Sequence, residues 1–163
     1  MAKGKKDKPS SADLNNRLVA SNRKAKFDYE LLNQYTAGVV LMGSEIKSIR
    51  ANRINLTDGF VQERGGELWL MNVHIAPYDQ ASHFGHKDPM RPRKLLLRKK
   101  EIAQIMTAIR EASYTAVPTR VFLDNGLAKV EIAVARGKKN YDKRQDIANR
   151  DAQRDIRRAM KEN

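Results

Sequence analysis

The feature that most constrains this chain is where its positive charge sits. Residues 1–26 carry eight Lys/Arg against two Asp, residues 136–163 carry ten against five acids, and only +2 of the total +13 is left for residues 27–135. A segment as polar as either end cannot bury enough apolar surface to repay the entropy of ordering. The core must therefore come from the middle, about 110 residues, enough for one small domain. The two ends read as basic arms suited to lie along a polyanion, and nucleic acid is the partner such arms address.

Composition removes several classes. With no cysteine in 163 residues there is no disulfide framework, thiolate metal site or Cys nucleophile. The N-terminus lacks the apolar run of a secretory signal, and no stretch approaches the roughly 20 apolar residues of a membrane span. Neither arm combines its charge with bulky apolar anchors, so an interfacial helix is disfavoured as well. The expectation is a cytoplasmic protein, with a monomer as the simplest state.

Along the chain, residues 1–21 hold Lys3, Lys5, Lys6, Lys8 and Pro9 with few large apolar residues and read as a flexible leader. Residues 27–42 are rich in aromatic and β-branched side chains and predict one long strand bent at Gly38. Ser44 then caps a short helix with Glu45 in its first turn, Ile46 and Ile49 inward, and Lys47 and Arg50 outward. Residues 60–75 and 117–135 predict hairpins turning at Gly65-Gly66 and Asn125-Gly126. Between them Ile102, Ile105, Met106 and Ile109 recur at the spacing of a helix with one buried stripe. The fold expected is mainly β with accessory helices, a small antiparallel barrel of the oligonucleotide-binding type. Its limits are a leader at 1–21, a barrel at 22–136 and a basic tail at 137–163.

Six cations, Arg91, Arg93, Lys94, Arg98, Lys99 and Lys100, surround Leu95-Leu96-Leu97 within ten positions. A buried leucine triplet framed by Pro89 and Pro92 would hold those cations in place as an RNA-contacting edge. In the tail, Arg150, Arg154, Arg157, Arg158 and Lys161 share one helical face, but the apolar face is thin. Such a segment is expected to be disordered alone and helical where phosphates supply the counter-charge. Tyr141 offers a surface on which a base can stack. Catalytic chemistry finds little support. His83 and His86 flank a glycine in a loop without cysteines, His74 lies in a strand, and no phosphate-cradling loop, serine elbow or acidic metal cluster is present. No cofactor or metal is called for. Glu45 stands out among the acids, either as an ion-pair and helix-dipole partner or as a residue that positions RNA. These observations leave a selective RNA-binding factor and a general basic RNA-binding or ribosomal protein both open.

A specific succession of motifs goes further: Asn22-Arg23-Lys24-Ala25, Ala37-Gly38-Val39-Val40-Leu41, Gly43-Ser44-Glu45-Ile46-Lys47-Ser48-Ile49-Arg50, Asp88-Pro89 leading to Arg93-Lys94-Leu95-Leu96-Leu97, and Gly137-Lys138-Lys139 leading to Asp142-Lys143-Arg144. In this order, over residues 22 to 144, it closely resembles the small protein B family, bacterial proteins that bind transfer-messenger RNA (SsrA RNA). The resemblance implies a noncatalytic ribosome-rescue factor of trans-translation. In that family the barrel holds the tRNA-like domain of transfer-messenger RNA, and the complex enters stalled ribosomes. Elongation factor Tu and alanyl-tRNA synthetase take part through the RNA. The tail is implied to probe the empty message channel of the small subunit and become helical there. Carried over by position, the RNA-binding residues implied are Asn22, Arg23, Lys24, Glu45, Lys47, Ser48, Arg50, Arg93 and Lys94. Gly137, Lys138, Lys139, Tyr141, Asp142, Lys143 and Arg144 would face the decoding centre. One position departs from the family: Thr36 stands where an acid is common.

Overall fold

Two long strands, β8 (Tyr114–Asp124) and β9 (Leu127–Gly137), are joined by Asn125 and Gly126, both at positive φ (49° and 78°). That pair of angles is the tight turn whose twist matches the strands it joins. Gly65 (59°) and Gly66 (78°) do the same between β4 (Phe60–Arg64) and β5 (Glu67–Met71). Both predicted hairpins are present in the computed structural model, which describes residues 15–79, 85–111 and 114–161.

The main sheet is antiparallel, in the order β1-β8-β9-β2-β7-β5-β4, where β1 is Arg17–Ser21, β2 Tyr29–Val39 and β7 Arg93–Leu96. A second small ladder pairs β3 (Ile54–Asn55) with β6 (His74–Ile75). The sheet curls until β4 packs against β8. Gly59, just before β4, permits this approach, since a Cβ there would lie 2.7 Å from Val73 Cγ2 and 2.8 Å from Pro118 Cγ. No hydrogen-bonded ladder joins β4 to β8 or β1 among the described residues, so the barrel is partly open. Its core gathers Leu68, Leu70, Leu95, Val121 and Ile132 from strands. Ile49 is added from helix α2 (Gly43–Arg50) and Ile105 from helix α3 (Lys99–Arg110), the stripe the spacing predicted.

Three expectations change. Residues 17–21 are not leader but strand β1, paired with β8 from Arg17 opposite Leu123 to Ser21 opposite Arg120. Arg17 fastens this strand to the end of α2, donating to the Arg50 carbonyl and to Asn52 Oδ1 at 2.6 Å. Leu18-Val19-Ala20 had enough β-forming character, but the surrounding polar residues concealed it. Residues 1–14 of the expected leader lie outside the described residues.

The long strand expected over 27–42 begins instead with helix α1 (Arg23–Asp28), because the Asn22 side chain accepts from the Ala25 N–H at 3.0 Å and caps it. The ladder between β2 and β9 is regular through Gly38, and its register slips instead between Leu31 and Gln34. Gly38 sits between Lys129 on one side and Leu96 on the other. Its missing side chain lets β7 close in, since a Cβ would lie 3.3 Å from Leu96 Cβ.

The third change concerns Ser44, which caps nothing. Met42 is the N-cap of α2, with its N–H bonded to Glu45 Oε2 at 2.8 Å. After β9, helix α4 (Asn140–Lys161) runs for 22 residues with none buried.

Candidate nucleic-acid interface

The basic run at 91–100 does not form one edge. Strand alternation in β7 sends Arg93 and Leu95 inward and Lys94 and Leu96 outward, so the leucine triplet is not a buried unit: Leu95 is 2% exposed and Leu96 52%. Arg93 lies entirely in the interior, where Nε meets Glu45 Oε1 at 2.8 Å and the two terminal nitrogens donate to the carbonyls of Val73 (2.7 Å) and Pro89 (3.0 Å). Arg91 adds a bond to Glu45 Oε2 at 2.7 Å. Lys94 is engaged by Glu67 across the neighbouring strand. Arg98, Lys99 and Lys100 alone of the six are exposed.

Glu45 is therefore the centre of a buried ionic cluster that ties α2 to β7 and to the loop before it. Burial by itself would raise its pKa. The hydrogen bond from Arg91, the backbone N–H of Met42, and the charge and hydrogen bond of Arg93 outweigh that and hold the carboxyl below the usual carboxylate range. Of the two sequence readings of Glu45, the geometry is that of an ion-pair partner. It is fully enclosed and offers no oxygen to solvent.

Other residues of the implied RNA-binding set are likewise buried and hydrogen-bonded within the barrel. Asn22 is buried, caps α1, and donates from Nδ2 to the carbonyls of Leu56 (2.9 Å) and Pro118 (3.0 Å), joining three parts of the barrel. Ser48 is buried with its hydroxyl on the Ala76 carbonyl at 2.6 Å. His86 is buried too: its backbone N–H donates to Ser44 Oγ (2.9 Å), its Nδ1 lies 2.7 Å from the same hydroxyl, and its Nε2 faces the Ile75 carbonyl at 3.0 Å. A carbonyl can only accept, so the bonding pattern assigns the proton to Nε2 and lets Ser44 donate to Nδ1. His86 thereby locks the loop ahead of β7 onto α2. His74 is exposed, His83 lies outside the described residues, and no group of three or more metal-ligating side chains occurs among those described.

What remains on the surface is Arg23 and Lys24 on α1 and Lys47 and Arg50 on α2. Lys24 reaches Asp58 at 2.9 Å, Lys47 lies 5.6 Å from the centre of the Tyr78 ring, and Arg50 donates to the Gly126 carbonyl at 3.2 Å. Beside Arg50 the strands expose an apolar patch absent from the sequence reading. Met42, Arg50, Leu96, Leu127 and Lys129 line a groove of about 400 Å³. It continues, through Gly38, Leu96 and Lys129, into a second of about 500 Å³ that includes Thr36 and Arg98. Leu127 is 63% exposed. Apolar ground rimmed by Arg50, Arg98 and Lys129 suits unstacked bases with phosphates at the edge, the manner in which folded RNA presents its loops. Strict alternation from the buried Leu95 was the signal that could have placed Leu96 there.

The second implied set lies at the exit of β9. Gly137, Lys139, Tyr141, Asp142 and Arg144 are exposed, Lys138 pairs with Asp146 at 2.6 Å, and Lys143 with Asp28 at 3.3 Å. The second set follows β9 into the start of α4, where Lys143 reaches back to Asp28 on α1, the helix that carries Arg23 and Lys24.

A family model described as SmpB protein matches residues 19–162. The SsrA-binding protein of Roseiflexus castenholzii (strain DSM 13941 / HLO8) is 56% identical over 146 residues, covering 90% of this chain and 92% of the relative. That of Staphylococcus carnosus (strain TM300) is 48% identical over 162 residues and covers 99% of both. Among solved structures, a chain described under "tmRNA-SmpB: a journey to the center of the bacterial ribosome" shares 42% identity with a TM-score of 0.63, covering 74% of this chain and 85% of that one.

Proposed function

Since the chain belongs to the SmpB protein family, we propose that it binds transfer-messenger RNA and acts with it on stalled ribosomes in trans-translation. The observation that carries this is the pairing of a barrel face, apolar at Leu96 and Leu127 and basic at Arg50, Arg98 and Lys129, with a basic helix, α4, that begins three residues beyond the end of β9. One protein thus presents two RNA-directed surfaces. The barrel face takes the tRNA-like domain of the RNA, and the Gly137–Arg144 segment faces the decoding centre, with the rest of α4 directed along the message channel.

The buried Glu45, Arg93, Asn22 and Ser48 hold the barrel face in shape and do not touch RNA. Arg23, Lys24, Lys47 and Arg50 are the exposed members of the sequence-derived set, available for direct contact, and Lys94, half-buried beside Glu67, has partial access. The protein changes no bond itself. Alanyl-tRNA synthetase and elongation factor Tu act on the RNA it carries, and the ribosome performs peptide transfer. It works as a single copy, in the cytoplasm.

The experiment is reconstitution of translation on a message lacking a stop codon, with aminoacylated transfer-messenger RNA and this protein added or withheld. Peptide tagging that requires the protein supports the proposal. Tagging at the same rate without it would overturn it.

A further inference from the structure

Helix α4 does not stand free of the barrel. Its first turns, and Lys138 just before them, lie against α1: Lys143 meets Asp28 at 3.3 Å, Lys138 donates from its backbone to the Asp28 carbonyl at 2.9 Å and from Nζ to the Lys26 carbonyl at 3.3 Å, and the Arg150 guanidinium lies 5.5 Å from the centre of the Phe27 ring. Between the two helices runs a groove of about 630 Å³, lined by Arg23, Lys24, Lys26, Phe27, Asp146, Arg150 and Arg154. Five of those seven side chains are cations. The single acid, Asp146, is committed to Lys138. Lys24 and Arg154 have exposed partners, Asp58 and Asp151, while no described carboxylate stands within ion-pair distance of Arg23, Lys26 or Arg150.

Bringing α4 onto α1 therefore concentrates like charge from two elements around one cavity, which is unfavourable unless an anion shares it. The cations come from both helices, and Arg150 lies against the face of Phe27. Such a lining fits a chain of phosphates better than a single ion, because the charges are distributed along the groove and not focused on one point. We propose that the α1–α4 groove is a second RNA site, which clamps the phosphate backbone of single-stranded RNA between the barrel and the folded-back tail. This rests on the RNA-binding reading above and adds to it a site in which the tail grips RNA against its own barrel, away from the Leu96–Leu127 face.

The test uses the full chain and fluorescein-labelled hexauridylate, with affinity measured across a salt series. Arg150→Ala/Arg154→Ala removes two groove cations, and Arg157→Ala/Arg158→Ala removes the same charge one turn further along, outside the groove. Each single-strand phosphate contact contributes about −0.7 to the log–log salt slope. The groove variant is thus expected to bind more weakly with a slope flatter by about 1.4, and the control variant to change by less than half of that. Equal losses in both variants would make the tail a general cationic tether and overturn the groove. No loss in the groove variant would overturn it as well. Binding of the tRNA-like domain, measured in parallel, is expected to survive in every variant. Should the unaltered chain fail to prefer that domain, the proposed function falls while the hexauridylate comparison still decides the groove.

Discussion

Glu45 and Arg93 form a fully enclosed ion pair, with Arg93 Nε 2.8 Å from Glu45 Oε1 and neither side chain exposed to solvent. The pair joins the short helix α2 to strand β7, and Arg91 completes it from a site one-third open to water. Removing one member of a buried pair leaves the other charge uncompensated, at a cost of about 3–5 kcal/mol. Glu45→Ala should therefore unfold at much lower denaturant than the parent. Arg91→Ala, which leaves Glu45 paired with Arg93, should cost less. Equal, small losses in chemical denaturation would show that the cluster does not hold the fold.

The same carboxylate sets a pH dependence. Its folded pKa lies below the ordinary carboxylate value despite burial, because Arg91, the Met42 N–H and Arg93 stabilise its charge. A depressed folded pKa contributes stability that is fully present above the unfolded value, roughly 4.3, and is lost as pH falls through the folded value. Melting temperature measured from pH 7 to pH 3 should fall below about pH 4.5, and Glu45→Gln, though less stable at pH 7, should show a shallower fall. A variant as acid-sensitive as the parent would assign the acid lability elsewhere.

Neighbouring leucines should separate stability from binding. Leu95 is buried among Leu70, Ile49 and Val130 in one core, and Leu95→Ala should cost about 2–5 kcal/mol. Leu96→Ala and Leu127→Ala, at exposed positions, should change stability by no more than about 0.5 kcal/mol while weakening binding to the tRNA-like domain. Calorimetry and RNA binding on the three variants check this, and intact binding in both exposed variants would remove the apolar groove from the interface.

Truncation after Lys139 deletes the whole of α4, none of whose residues is buried. Barrel stability and affinity for the tRNA-like domain should stay close to those of the full chain, while peptide tagging on stalled ribosomes is lost. Loss of most affinity for that domain would make the tail its main clamp.

Much of this architecture was legible in the chain because hairpin turns and helix stripes are local signals. Asn125-Gly126 and Gly65-Gly66 announce their turns through residues that tolerate positive φ, and Ile102 to Ile109 mark α3 by spacing alone. What was not legible depends on distant partners. Arg93 reads as a surface cation until strand alternation turns it inward and Glu45, 48 positions away, neutralises it. Asn22 reads as an RNA contact, yet its amide is consumed by carbonyls 34 and 96 positions away. Charged and polar residues of a motif can thus serve the scaffold, while a leucine in the same strand, Leu96, stands exposed. β1 was missed for a related reason, since five residues with one neighbour at the sheet edge carry little pattern of their own.

The most direct measurement is competition between the tRNA-like domain of transfer-messenger RNA and an unrelated stem-loop of equal length for the full chain, across a salt series. A preference for the tRNA-like domain that persists at high salt, after backbone contacts have weakened, is the predicted result. Equal binding to both RNAs, collapsing together as salt rises, would contradict the account and leave a general basic RNA-binding protein.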